Sequence, residues 1–323
     1  MIECYKTDEN GTERIDQPEA GCWVNVVAPT PQERVWLEEE LGILPEFVRS
    51  ALDEEETSHI DYDDEVNQTL VIVDYPSAED VEEMSDPSML QYTTMPLSVV
   101  FVQDKNLLVT VSLNENLVID DLVRGRVRGV DTRLRTRFLL LLLLRVSQRY
   151  LIYLRRIDRL STKTERHLHA SMRNEELLQL LSLEKSLVYF SSSLKADEVT
   201  LNKIMHGRII RLYEEDQELL EDVLIEIRQA IEMTDIYSNT LSGTMDAFAS
   251  IISNNLNIVM KVLTVITIVM AIPNIIFGFY GMNIGAEQGG ALPFATTWLV
   301  PFTIAAVCCL VAVFIFKKKD MFS

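Results

Sequence analysis

Residues 262–280, near the C-terminal end of the chain, carry no charged side chain and are mostly apolar. A helix of that length crosses the hydrocarbon core of a bilayer. The stretch is not uniformly apolar, however. Steps of alternating three and four residues keep to one helical face. They meet Asn257, Met260, Thr264, Thr267, Ala271, Asn274, Gly278 and Gly281. That face is small or polar nearly throughout, while Val, Ile, Leu and Phe fill the rest. An unpaired amide in hydrocarbon costs several kcal/mol, so Asn274 has no place on a single helix surrounded by lipid. Two arrangements accommodate the stripe: a small-residue packing seam between helices, or the wall of a pore. Polarity sustained over the whole span favours the pore.

A second apolar span, residues 298–316, ends in Lys317, Lys318 and Lys319, whereas the loop between the spans, residues 284–297, has no Lys or Arg. The excess of positive charge predicts a cytoplasmic C-terminus. Two crossings then return the N-terminal region to the same side. Residues 1–11 are polar and acidic, without the basic start and apolar core of a targeting peptide.

Upstream of the spans the chain is long enough for a soluble domain, with 323 residues in all and a formal net charge of −20. That balance argues against nucleic acid as a partner, which calls for basic patches, and suits a protein that concentrates cations. Cys4, Cys22, Cys308 and Cys309 have neither metal-ligand spacing nor a disulfide framework and read as packing residues. No nucleophile–base pair, phosphate loop or metal-ligand cluster is visible, so an enzyme is not expected, nor any cofactor.

The predicted architecture is an α+β cytoplasmic domain over residues 1–130, a helical region over 131–213, a stalk helix over 214–280 and a second membrane helix over 298–316. Within the first, residues 22–27 read as a strand. Thr30 opens a helix running to Leu41, and residues 44–52 suggest another helix. Residues 70–75 (LVIVDY) read as a strand stopped by Pro76, and residues 97–102 and 107–111 as a hairpin. The acidic runs 53–56, 61–65 and 79–86 read as solvated loops or helix ends. Residues 138–144 are continuously apolar but too short to span, and predict a buried helix segment. Met172, Arg173 and Asn174 mark a turn before a second helix over about residues 175–194.

No proline interrupts residues 214–272, so one helix of about 100 Å, at about 1.5 Å per residue, is predicted up to the interspan loop, with membrane helix 1 over about 258–280. The stripe continues inward from Asn257 through Ser253, Ser250, Asp246, Gly243, Asn239, Ile236, Glu232, Gln229, Ile225 and Asp222. A separate apolar stripe holds Val223, Ile227, Ile231, Leu241, Met245, Phe248 and Ile252. Several copies packed sideways through the second stripe would surround a wet axis lined by the first.

Tyr280-Gly281-Met282-Asn283 closes the first span and opens the loop of residues 281–297, with two C-terminal spans and a basic tail of residues 317–323. This resembles the CorA family of magnesium transporters, whose signature is Gly-Met-Asn at that place. The similarity extends back through Asn257, Met260, Lys261, Val262, Leu263, Thr264, Gly278 and Tyr280. The resemblance implies a funnel-shaped homopentamer in the cytoplasmic (inner) membrane, with the first span lining the pore and only the short loop outside. It assigns Gly281, Met282 and Asn283 to the selectivity filter, and Asn257, Met260 and Leu263 to a narrow inner neck, with Met260 and Leu263 gating by excluding water. It also implies cation-sensing acids between neighbouring cytoplasmic domains. Asp222 matches the sensor acid and Asp246 a pore-lining acid; Arg49-Ser50 stands where relatives often carry Glu-Asp, so either the partner acid has shifted to Asp53, Glu54 and Glu55 just beyond or this protein regulates differently.

Magnesium dehydrates reluctantly, and a ring of neutral side-chain carbonyls, such as that of Asn283, can accept hydrogen bonds from its bound water. The expectation is a gated channel for divalent cations. Magnesium is both transported and regulatory, cobalt or nickel are minor substrates, and intracellular magnesium closes the pore. Two alternatives stand beside it. One is a zinc transporter of the related branch, whose loop tends to lack the Met seen here as Met282. The other is a membrane-anchored sensor or scaffold that conducts nothing.

Overall fold

A computed structural model describes residues 1–8, 11–78, 90–171, 174–207, 209–281 and 299–319. The chain forms two units, Met1–Thr244 and Met245–Ser323.

The first unit opens with β1 (Ile2–Asp8), β2 (Gly11–Ile15) and β3 (Trp23–Val27). Then come α1 (Pro31–Glu39), α2 (Pro45–Ser50), β4 (His59–Asp63), β5 (Gln68–Ala78), β6 (Tyr92–Val102) and β7 (Leu107–Ser112). The strands make one sheet in the order β2-β1-β3-β7-β6-β5-β4. Every pairing is antiparallel except β3 with β7. One face packs on α1 and α2 through Val24, Val26, Leu37, Phe47, Leu70, Ile72 and Val109. Intervening residues face the other way, where Trp23 donates to Thr110 at 2.8 Å and lies 4.9 Å from the ring of Phe138.

Local chemistry sets the element ends. Thr30 and Glu33 form a capping box on α1, each accepting from the other's backbone N–H. Asn67 and Asn106 take positive φ, of 50° and 53°, in the tight turns before β5 and β7, a conformation Asn tolerates. Asp63 accepts from the N–H groups of Glu65 and Val66, so the acidic run 61–65 is the end of β4 and its turn rather than a plain solvated loop. Strand β5 does not stop at Pro76, which pairs with Thr94. Strand β4 ends opposite Ile72, so the missing N–H of Pro76 faces an open edge and costs no ladder bond. Residues 79–89, with the whole of the third acidic run, lie outside the described residues.

Helix α3 (Leu117–Val123) leads into α4 (Arg135–Ser171) and α5 (Asn174–His206). Residues 138–143 are buried in α4, as a core segment rather than a span. Helix α5 extends 12 residues beyond the Leu194 expected as its end. Met172 and Arg173 lie outside the described residues. Asp121 of α3 is buried at the joint with α4 and accepts from Arg126, Arg145 and Arg149. Burial would raise its carboxyl, but the three guanidinium groups outweigh that and hold it down at about 2.

Helix α6 (Glu214–Tyr280) is continuous, and Glu214, Glu215 and Asp216 in its first turn complement the helix dipole. In the first unit it buries Leu220, Val223, Leu224, Ile227, Thr234 and Leu241, and joins α4 and α5 through Arg137–Glu215 (2.9 Å), Arg228–Glu198 (2.8 Å) and Lys195–Asp235 (3.7 Å). The second unit contains the rest of α6 and α7 (Leu299–Lys318). Both helices are long and apolar enough to cross a membrane.

Candidate functional site: the polar stripe of α6

Every position of the inward stripe from Asn257 to Asp222 is exposed, including Ile225 and Ile236 at 61% and 60%. Of the apolar stripe, Val223, Ile227, Leu241 and Phe248 are buried, Ile231 and Met245 half-buried, and Ile252 exposed. The two stripes are thus separated by burial as well as by composition.

In the membrane part, the face of α6 that is buried or half-buried carries Ile258, Val262, Val265, Val269, Ile272, Ile276 and Tyr280. Helix α7 answers with Pro301, Ala305, Cys309, Ala312 and Phe316 at the same kind of spacing. Val265 is 1% and Ala305 4% exposed. At 3.6 residues per turn the polar stripe lies about half a turn from this packed face. Asn257, Met260, Thr264, Thr267, Asn274, Gly278 and Gly281 are accordingly exposed, with Ala271 half-buried. Leu263 beside them is exposed at 55%.

The hydroxyls on this stripe are oriented. Thr264 donates to the Met260 carbonyl at 2.7 Å and Thr267 to the Leu263 carbonyl at 2.8 Å. A hydroxyl whose proton is committed to the helix presents only lone pairs outward. These two hydroxyls can accept from the water shell of a cation and have no proton left to donate to an anion. At the end of the span, a Cβ on Gly281 would come within 3.2 Å of the Phe277 carbonyl, to which Gly281 donates at 2.9 Å. Met282 and Asn283 lie outside the described residues.

Pro273 has no N–H for the carbonyl of Val269, four residues earlier. In hydrocarbon that carbonyl needs another donor. The thiol of Cys309 on α7 supplies it at 3.6 Å. The spacing of Pro273 to Val269 was visible in the sequence, but nothing there aligned Cys309 with it. This contact fixes α7 behind the stripe rather than on it.

The acids assigned to regulation are dispersed. Asp222 and Asp246 are exposed on α6, and Asp53 is exposed after α2, where its carboxylate accepts the Glu55 N–H at 3.0 Å and shapes a turn. Among the described residues no group of three or more His, Cys, Asp or Glu converges as a metal site.

A family model described as CorA-like Mg2+ transporter protein matches residues 18–318. The chain belongs to this CorA-like family. Among curated proteins it is 27% identical over 307 residues to "Cobalt/magnesium transport protein CorA" of Methanocaldococcus jannaschii, covering 92% of this chain and 90% of that one. It is 26% identical over 239 residues to the protein of the same description from Thermotoga maritima, covering 68% of each. The complete structure of the CorA magnesium transporter from M. jannaschii superposes with a TM-score of 0.80 at 25% identity, over 98% of both chains. The expected CorA fold, an α+β domain with a long helix and a C-terminal apolar helix, is therefore the observed one.

Proposed function

We propose that the chain is a membrane transporter of divalent cations, acting as a gated channel with magnesium as its preferred substrate and cobalt or nickel as minor ones. The observation that carries this reading is the stripe of α6. It is polar or small, exposed, opposite the face that packs on α7, and furnished with hydroxyls that can only accept. Copies of the chain, five by family resemblance, would bring their stripes to a common axis in the cytoplasmic membrane, with both termini inside. Gly281, Met282 and Asn283 then form the outer filter, and Asn257, Met260 and Leu263 the inner neck. The exposed acids Asp222 and Asp246, with Asp53 of a neighbouring copy, would bind intracellular magnesium and hold the closed state, since removing the ion leaves like charges facing one another.

The test is uptake into liposomes containing the purified chain and a magnesium-sensitive dye, with zinc, cobalt and nickel as competitors. Magnesium influx is expected, with zinc the weakest competitor. Asn283→Ala, which removes a ring of water acceptors without touching the folded core, abolishes influx while assembly persists. Normal influx in an assembled Asn283→Ala protein sinks the filter assignment. Absence of influx in the wild type sinks the channel.

A further inference from the structure

One turn of α5 ties two parts of the soluble unit together. Lys195 and Glu198 pair with Asp235 and Arg228 of α6 at 3.7 and 2.8 Å. Asp197, between them, meets the sheet instead. Strand β4 leaves the edge of β5 beyond Ile72, so the backbone groups that Ile72 and Asp74 turn to that side lack ladder partners. Side chains cap the vacated edge: Ser58 donates to the Ile72 carbonyl at 2.9 Å, the Asp74 N–H donates to Asp197 Oδ1 at 3.0 Å, and Tyr150 donates to the Asp74 carbonyl at 3.2 Å.

Capping explains one oxygen of Asp197 and no more, since an Asn would cap that N–H equally well. Asp197 is 2% and Asp74 9% exposed. Among the described residues, Asp197 Oδ2 has no hydrogen-bond partner, and no Lys, Arg or His forms an ion pair with either carboxyl. The other neighbours carry no positive charge to the pair. Helix α4 brings the Tyr150 phenol. Thr94 of β6 accepts from Ser193, the Ser58 hydroxyl lies 2.9 Å from that of Thr200, and the His59 ring turns to the Thr57 carbonyl and Glu56. Two ionised carboxylates in such surroundings, eased only by the Ser58 and Ser193 hydroxyls and one backbone N–H, repel and lose their hydration. Burial first, then the charge of Asp74, pushes Asp197 well above the carboxylate range, and burial also raises Asp74.

We propose that Asp74 and Asp197 hold one proton between them, and that this proton latches α5 to the sheet so that its release is transmitted to α6 through Lys195 and Glu198. The sign follows from linkage. A carboxyl that keeps its proton in the fold above the ordinary value of 3.8 stabilises the closed arrangement below that value. The stabilisation is lost as pH rises toward the folded value. The latch is therefore tight in acid and looser in alkali. It stands whether or not the chain conducts, and only its bearing on gating rests on the transport reading above.

Two measurements on the full-length chain in detergent test it, and neither depends on uptake. The infrared carbonyl band of a protonated carboxylic acid is expected in the wild type at pH 7, and is lost in Asp197→Asn. Amide exchange in α5, corrected for its intrinsic pH dependence, should lose protection by about tenfold per pH unit wherever the closed form holds the extra proton. Asp197→Asn and Asp74→Asn should flatten that slope. A wild type without the band at pH 7 overturns the proposal, and so does a slope unchanged in both variants. The infrared reading needs no variant to fold.

Discussion

Asp121 offers a quantitative test of what orients α4 and, with it, the helices that flank α6. Its carboxylate is 1% exposed and lies against Arg145 and Arg149, whose side chains are 24% and 16% exposed, and against the more solvated Arg126 at 57%. The shift from 3.8 to about 2, at about 1.4 kcal/mol per unit, makes the ionised form worth about 2.5 kcal/mol. Asp121→Asn keeps the shape but leaves two half-buried guanidinium groups without their counter-charge, and removing one partner from a buried pair costs about 3–5 kcal/mol. A loss of about 3 kcal/mol at pH 7 is expected. Urea unfolding of the detergent-solubilised chain measures it, followed by tryptophan fluorescence, since Trp23 and Trp36 belong to this unit. The folded value is depressed, so this stability is present above 3.8 and disappears as pH falls toward about 2. The variant should lack that acid-range slope. A variant within about 1 kcal/mol of wild type, the range of an exposed surface pair, with the slope intact would refute the reasoning.

Thr264→Val with Thr267→Val keeps volume and apolar packing but removes the outward acceptors. Magnesium influx in liposomes should fall by about tenfold or more, equivalent to about 1.4 kcal/mol of barrier, and undiminished flux would take these positions out of the ion path. Asp222→Lys places a fixed positive charge where a bound cation is proposed. The wild type should resist limited proteolysis only with magnesium present, and the variant with or without it; a wild type indifferent to magnesium would remove Asp222 from regulation.

The membrane part was legible because its chemistry repeats along one helix: a run of apolar residues, a three-and-four stripe and a closing Gly281 need no tertiary information. The buried segment 138–144 was legible for a related reason, being too short for a bilayer and too apolar for water. The sheet was read only where strands are apolar. Strands β1, β2 and β4 were missed because they are short, polar and at or near the edges, where alternation is weak and a run such as residues 61–65 looks like a loop. Pro76 misled because its cost depends on which edge its nitrogen faces, a property of the pairing and not of the local sequence. The Asp74–Asp197 contact, 123 residues apart, left no mark in either local segment.

The placement of α7 bears on why one chain alone is an incomplete solution to its own sequence. Helix α7 covers the apolar face of α6 at Val265 and Val269 and supplies the Cys309 thiol that Pro273 makes necessary. That leaves the accepting stripe bare, between two exposed apolar flanks: Ile266 and Met270 on one side, Ile268 and Ile275 on the other. Lipid satisfies the flanks but not Asn274 or the threonine oxygens, whose exposure to hydrocarbon costs several kcal/mol for each group without a partner. A second α7-like helix would bury the stripe without hydrating it. Symmetric copies joined flank to flank, by a heterologous contact that closes into a ring, bury apolar against apolar and turn every stripe to one axis. That arrangement would let water reach the acceptors, as the proposed pore requires. In the proposed pore the threonine oxygens on that axis would accept from the water shell of a cation, with their own protons already given to the helix.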